Sequence, residues 1–147
     1  MKKITTFIAG VSIIVVSVVT ANAGEIPPVL KAGFEQYIKK GPKAAIESWA
    51  KGSAIEGNKE TLSQANNFQQ IQDFYGNIVG YNVVMSKNHS SSSSVYLIEI
   101  KYEKGNVFSK FFIYKTPDGQ QVLTTFLFNI DAERVWPEYL VLGPDGQ

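Results

Sequence analysis

Between residues 29 and 75, apolar side chains recur every three or four positions, a spacing that predicts amphipathic helices. We predict helices over Val29–Lys40, Lys43–Lys51 and Lys59–Tyr75. Gly41-Pro42 separates the first two because Gly caps a helix end and Pro suits a first turn. Asn58 is a suitable N-cap for the third helix. That helix would bury Leu62, Ala65, Phe68, Ile71 and Tyr75 and expose a face rich in Asn and Gln, including Gln64.

After Gly76 the pattern changes to alternation and to residues rich in Val, Ile, Tyr and Phe, which predicts strands. Short connections containing Gly, Lys104–Asn106 and Pro117–Gly119, indicate antiparallel hairpins. A helical turn over Asp131–Val135 would follow. We therefore expect one α+β domain over residues 24–147, with three N-terminal helices packed on a four-stranded antiparallel sheet. The predicted strands are Ile78–Lys87, Val95–Glu103, Val107–Thr116 and Gln120–Ile130.

Both faces of these strands are apolar near the middle of the sheet. Strict alternation would place Phe108, Phe112 and Tyr114 on one face, with Phe111 and Ile113 opposite. On the last strand it would group Val122 with Phe126 and Phe128, and Leu123 with Leu127. A sheet covered by helices on one face and by water on the other alternates more cleanly. The second apolar face therefore indicates either a pocket wall or a subunit interface.

The first 23 residues have the three-part layout of a secretory signal peptide. Lys2 and Lys3 precede the apolar run Ile4–Thr20, and Ala21-Asn22-Ala23 offers small residues for cleavage after Ala23. The alternative is an uncleaved membrane anchor, but the run is shorter than the roughly 20 apolar residues that span a bilayer. We expect an exported protein, periplasmic or secreted, with no stable membrane insertion after signal removal.

Charge and cysteine content narrow the possible partners. The chain has 14 Lys and Arg against 13 Asp and Glu, so that removing Lys2 and Lys3 leaves a net charge of −1. Such a nearly neutral domain without a basic run is not expected to bind nucleic acid. The chain has no Cys, so disulfides cannot stabilise it. Motifs for nucleotide, zinc, calcium and serine-hydrolase sites are missing, and we expect no cofactor and no metal.

Four segments resemble one known superfamily. They are Gly41–Trp49, Tyr75–Tyr81, Ile100–Gly105 and Phe126–Asp131. Together with helices followed by a long antiparallel meander, they resemble the nuclear transport factor 2-like superfamily, which includes SnoaL-type proteins and ketosteroid isomerases. The resemblance implies a cystatin-like cone, in which a strongly curved sheet wraps the helices around an apolar cavity. It also implies homodimers through the other face of the sheet.

Three titratable residues are candidates for catalysis, each with a plainer interpretation. Asp73, near the end of the third helix beside Tyr75, resembles the Asp base that ketosteroid isomerase-like enzymes combine with Tyr donors; otherwise it is an exposed helix residue. Glu99 is either a general acid, a cross-strand ion-pair partner of Lys110 or a surface residue. His89 is the only His and precedes the serine-rich loop 90–94, where a solvated role is expected.

Aromatic residues give the strongest indication of a binding site. Core packing explains most of them, but a buried Tyr hydroxyl needs a hydrogen-bond partner. Seven Tyr in this chain therefore suggest an apolar cavity partly lined with hydroxyls. The residues expected to line it are Tyr37, Trp49, Tyr75, Tyr96, Tyr102, Phe112, Tyr114 and Phe128.

Three functions remain open from the sequence. The first is a non-enzymatic, dimeric binding protein for a small apolar molecule or a protein partner. The second is an isomerase or hydratase that uses Asp73 or Glu99 with Tyr donors. The third is an envelope or secretion accessory that docks through Trp136, Tyr139, Leu140 and Leu142, unless this segment folds back over its own domain.

Overall fold

The computed structural model describes residues 25–143, and the expected signal peptide lies outside the described residues. The domain is α+β, with helices preceding four antiparallel strands that form one open sheet in the order β1-β2-β3-β4. This class and sheet type confirm the coarse sequence prediction. The strands are β1 (Ile78–Asn88), β2 (Ser93–Tyr102), β3 (Gly105–Lys115) and β4 (Gln121–Asn129).

The helices before the sheet are α1 (Pro28–Lys40), α2 (Pro42–Ala50) and α3 (Lys59–Tyr75). Gly41 joins α1 to α2 at a φ of 92°, which favours glycine, so the chain reverses without a loop. After the sheet come a 3-10 turn (Ala132–Arg134) and the short helix α4 (Glu138–Leu142), which the sequence analysis did not predict. No helix within residues 25–143 is long and apolar enough to cross a bilayer.

The main core lies between the helices and one face of the sheet, here called the inner face. Phe34 of α1, Trp49 of α2 and Phe111 of β3 meet there, with ring centroids 5.0 to 5.8 Å apart. Gly33 permits this packing because a Cβ at that position would overlap the indole of Trp49. The indole Nε1 donates to the carbonyl oxygen of Leu30 at 3.2 Å. This close approach of α1 and α2 fixes the aromatic centre of the domain.

A register shift changes which β4 residues face the helices. Beyond Phe112 the pairing places Leu123 opposite Ile113 and Val122 opposite Tyr114, with one extra β4 residue at the shift. Because directly paired residues share a face, Leu123 lies on the inner side and Val122 on the outer side. The sequence grouping of Val122 with Phe126 and Phe128 was therefore wrong, since strict alternation fails at a bulge.

The chain's own C-terminal segment, residues 131–143, covers part of the outer face. Trp136 packs edge-on against Phe108, with ring centroids 4.8 Å apart, and its Nε1 donates to the carbonyl oxygen of Ser109 at 3.0 Å. Farther along, the Tyr139 hydroxyl lies 3.3 Å from the sulfur of Met85 on β1. The segment thus crosses from β3 to β1, and its folding back accounts for part of the second apolar face.

Candidate functional site

A groove of about 420 Å³ runs between the first half of α3 and the edge strand β4. One wall is polar and comes from the start of α3, while the floor and the other wall come from β4. The lining residues are Ile55, Asn58, Glu60, Thr61, Gln64, Thr125, Phe126, Leu127 and Phe128. We call this feature the α3–β4 groove.

The cap of α3 holds the polar wall in place. The Oδ1 atom of Asn58 accepts hydrogen bonds from the backbone N–H groups of Glu60 and Thr61, at 2.9 and 3.0 Å. Two of the four N–H groups that a helix leaves free at its start are thereby satisfied. The first turn of α3 is consequently fixed against fraying, and the side chains it presents to the groove have a defined position.

Helix α3 packs on β4 through Phe68, near the middle of the helix. Phe68 stacks on Phe128 with ring centroids 3.9 Å apart. Thr61 and Gln64 precede Phe68 by seven and four residues, so they lie on the same face of the helix. Both side chains line the groove, so its wall on the N-terminal side of Phe68 is polar.

The floor of the groove belongs to the aromatic core. Phe126 lies with its ring centroid 6.1 Å from that of Trp49 and 5.9 Å from that of Phe111. Phe126 and Phe128 are themselves nearly parallel, at 10°. Both rings are half-buried. A bound molecule would meet aromatic surface already held rigid by the core, which lowers the entropic cost of binding.

The expected pocket residues separate into three groups. Tyr37, Trp49 and Tyr102 are buried in the core, and Tyr75 and Tyr96 pack against it half-buried. Phe112 and Tyr114 lie on the outer face, where Phe112 pairs with Val95. Phe128 alone of the expected set lines the α3–β4 groove. Sequence reasoning missed the groove's polar wall, because Gln64 was assigned to the solvated face.

The hydroxyl groups of the two buried tyrosines are hydrogen-bond partners of each other. The hydroxyl oxygens of Tyr37 and Tyr102 are 3.0 Å apart, and the Tyr37 hydroxyl also makes a long contact of 3.5 Å with the carbonyl oxygen of Phe68. Burial raises the pKa of Tyr102 to about 12. Burial, together with the charge that Tyr102 would carry, raises the pKa of Tyr37 further. Both hydroxyls are therefore neutral and serve packing at ordinary pH.

The candidate carboxylates lie away from these hydroxyls. Asp73 is exposed on α3 and accepts from Gln69 Nε2 at 2.9 Å. Glu99 lies on the outer face and accepts from the side-chain amides of Asn82 and Asn106, at 2.9 and 2.8 Å. The predicted ion pair between Glu99 and Lys110 is wrong. Lys110 is opposite Leu97 in the β2–β3 pairing, and the Glu99 carboxylate accepts hydrogen bonds from two side-chain amides instead.

His89 is exposed beside the β1–β2 connection, where its backbone N–H donates to the carbonyl oxygen of Ser93 at 2.8 Å. Within the described part of the chain, no three His, Asp or Glu side chains lie close enough together to hold a metal ion. Comparison of the chain with protein-family models, with curated proteins and with solved structures finds no match.

Proposed function

We propose that this protein is a non-enzymatic binding domain and that the α3–β4 groove is its binding site. The observation that carries the proposal is a groove of about 420 Å³ that joins a rigid aromatic floor to a polar wall. Its volume falls within the range of about 300–1,000 Å³ that is typical of ligand sites. Phe126 and Phe128 would supply apolar contact, while Asn58, Thr61 and Gln64 would orient the bound molecule by hydrogen bonds.

The positions of the carboxylates favour binding over catalysis. An isomerase or hydratase of the expected kind needs a carboxylate near a Tyr donor. Asp73 instead bonds Gln69, and Glu99 bonds two Asn side chains on the opposite face of the sheet. Neither carboxylate lines the groove. We therefore propose no reaction for this domain.

We also propose that the domain is a cone-shaped member of the nuclear transport factor 2-like superfamily. Two observations support this. Helix α1 contacts both β1 and β4, the two edges of the sheet, as expected if the sheet curves around the helix. Register shifts in the β1–β2 and β3–β4 pairings supply such curvature. Export through the signal peptide expected at residues 1–23 belongs to the same proposal.

The proposed homodimer would use what remains open on the outer face. Tyr114 is 39% exposed and Leu127 is 52% exposed, and both are large and apolar. The C-terminal segment already occupies the region around Phe108. We therefore propose contact through the β3–β4 side of this face. Sedimentation of residues 24–147 over a range of concentrations tests the dimer, and Leu127→Lys should make the chain monomeric.

The binding proposal is tested by filling the groove. Gln64→Trp places a bulky ring at a lining position, while Ser63→Trp places the same ring at the next, exposed position as a matched control. The probe is the neutral dye N-phenyl-1-naphthylamine, whose fluorescence rises in apolar sites. We expect saturable binding that Gln64→Trp abolishes and Ser63→Trp preserves, with unchanged urea midpoints. Binding that is absent, or equal in both variants, would contradict the proposal.

A further inference from the structure

The edge strand β4 has a row of backbone N–H and C=O groups that could pair with another strand. It is last in the sheet order, so one of its sides has no neighbouring strand. Its sequence from Gln121 to Asn129 contains no charged residue and no Pro, the usual devices that block edge pairing. The other edge strand, β1, carries Lys87 and two register shifts, whereas β4 has a single bulge, at Thr124, and a regular pairing from Thr125 to Asn129. Among the described residues, the hydrogen bonds of the β4 backbone go to β3 alone.

We infer that an extended peptide segment from a partner protein adds to β4 as a fifth strand inside the α3–β4 groove. The inference rests on the proposed binding function and names the class of ligand. Strand addition gives affinity through main-chain hydrogen bonds and selectivity through alternate side chains. The groove borders four consecutive β4 residues, Thr125–Phe128, which span about 13 Å of extended chain.

The shape of the groove selects a single chain over a second sheet. Helix α3 flanks the same edge, from Asn58 and Gln64 beside Thr125–Phe128 down to the stack of Phe68 on Phe128. Another copy of this domain would have to bring a whole sheet, and not one strand, to an edge that α3 flanks. One extended segment needs only the space between α3 and β4.

Side-chain and charge requirements follow from the lining. Alternate side chains of an added strand would point towards Phe126 and Phe128, so these positions should be apolar and of β-branched type. Among the residues that the structure describes, Glu60 is the one charged side chain that lines the groove. A Lys or Arg near one end of the segment would therefore complement it. The expected ligand is a short segment of alternating apolar and polar residues with a basic end.

The test uses the peptide acetyl-Lys-Val-Thr-Val-Thr-Val-Lys-amide and two N-methylated forms. In a paired strand, alternate N–H groups point at the neighbour, so methylation of all Val amides and methylation of all Thr amides have different effects. Each lost hydrogen bond costs about 1 kcal/mol, so blocking the set that faces β4 should weaken binding by about tenfold or more. Methylation of the other set should leave affinity nearly unchanged.

We expect the parent peptide to bind the full domain, to shift the backbone amide resonances of Thr125–Phe128, and to lose affinity in one methylated form only. Glu60→Gln should weaken binding by up to about fivefold, as expected for an exposed charge pair. Glu47→Gln, on the exposed surface of α2, should leave the affinity for the peptide unchanged. Equal affinities for both methylated forms, or resonance shifts confined to other elements, would overturn the inference.

Three further outcomes separate the peptide assignment from the proposed binding function. Dye binding in the groove without peptide binding would overturn the inference while leaving the binding function intact. Failure of both dye and peptide would remove both proposals together. Self-association that Gln64→Trp abolishes and Ser63→Trp preserves would show that a second copy occupies the groove, and this too would overturn the peptide assignment.

Discussion

Removing one hydroxyl at a time from the buried tyrosine pair distinguishes a packed core from a ligand-lined cavity. Tyr37→Phe leaves the Tyr102 hydroxyl buried without the partner that it has among residues 25–143, the Tyr37 oxygen at 3.0 Å. An orphaned buried donor costs roughly 1–3 kcal/mol, so we expect a loss of about 2 kcal/mol. Tyr102→Phe leaves Tyr37 its long contact to Phe68. We expect that variant to lose only about 1 kcal/mol.

The double variant measures the coupling between the two hydroxyls, which is a more specific quantity than either single loss of stability. With both hydroxyls removed, no donor remains stranded between the two rings, so the cost should fall short of the sum of the single variants by about 1 kcal/mol. Urea denaturation followed by tryptophan fluorescence measures all three, with unchanged m-values as the check on two-state behaviour. Additive costs would refute the reasoning. So would two single variants as stable as wild type, which would indicate hydroxyls that face a hydrated cavity.

The remaining predictions concern pH and packing. Unfolded Tyr titrates near 10, and burial raises the pKa of Tyr102 to about 12. As the pH rises, Tyr102 therefore loses its proton first in the unfolded chain. The stability that its raised pKa contributes below pH 10 is lost as the pH rises to 12, which lowers the free energy of unfolding by about 3 kcal/mol from Tyr102 alone. Urea midpoints of wild type should fall across this range, and those of Tyr37→Phe/Tyr102→Phe should fall less. Replacement of Gly by Ala ordinarily stabilises a helix. Gly33→Ala should instead lower the free energy of unfolding by about 1–3 kcal/mol or more, because the added Cβ overlaps the indole of Trp49. Ala32→Gly, at the neighbouring exposed position, should lower it by about 1 kcal/mol. Truncation after Asp131 should destabilise the domain by about 3 kcal/mol in calorimetry because Trp136 is lost from its place on the sheet, and a stable truncated domain would contradict this packing.

Local sequence rules predicted α3 most accurately, because both of its ends carry strong markers. Asn58 caps its start and Gly76 ends it at a φ of 86°. Helix α4 escaped prediction because its five residues, EYLVL, are too few to show a helical period. Its position depends on Trp136 reaching Ser109, a contact between residues far apart in sequence.

The groove could not be predicted from the sequence because it is a gap between two elements, and its existence depends on how they are placed. Thr61 and Gln64 share the helix face of Phe68, and that spacing was available in the sequence. The sequence does not specify that β4 lies beside this face. The tyrosine prediction failed to foresee pairing for a similar reason, since Tyr37 and Tyr102 meet across 65 residues. Partners so distant in sequence are known only once the fold brings them together.

A crystal structure of protein purified from its native host tests the α3–β4 groove as a binding site. We expect electron density for a bound molecule that contacts Phe126 and Phe128 and reaches the polar side chains of Asn58, Thr61 or Gln64. A groove closed by movement of α3 onto β4, or a bound molecule held elsewhere on the domain, would contradict it.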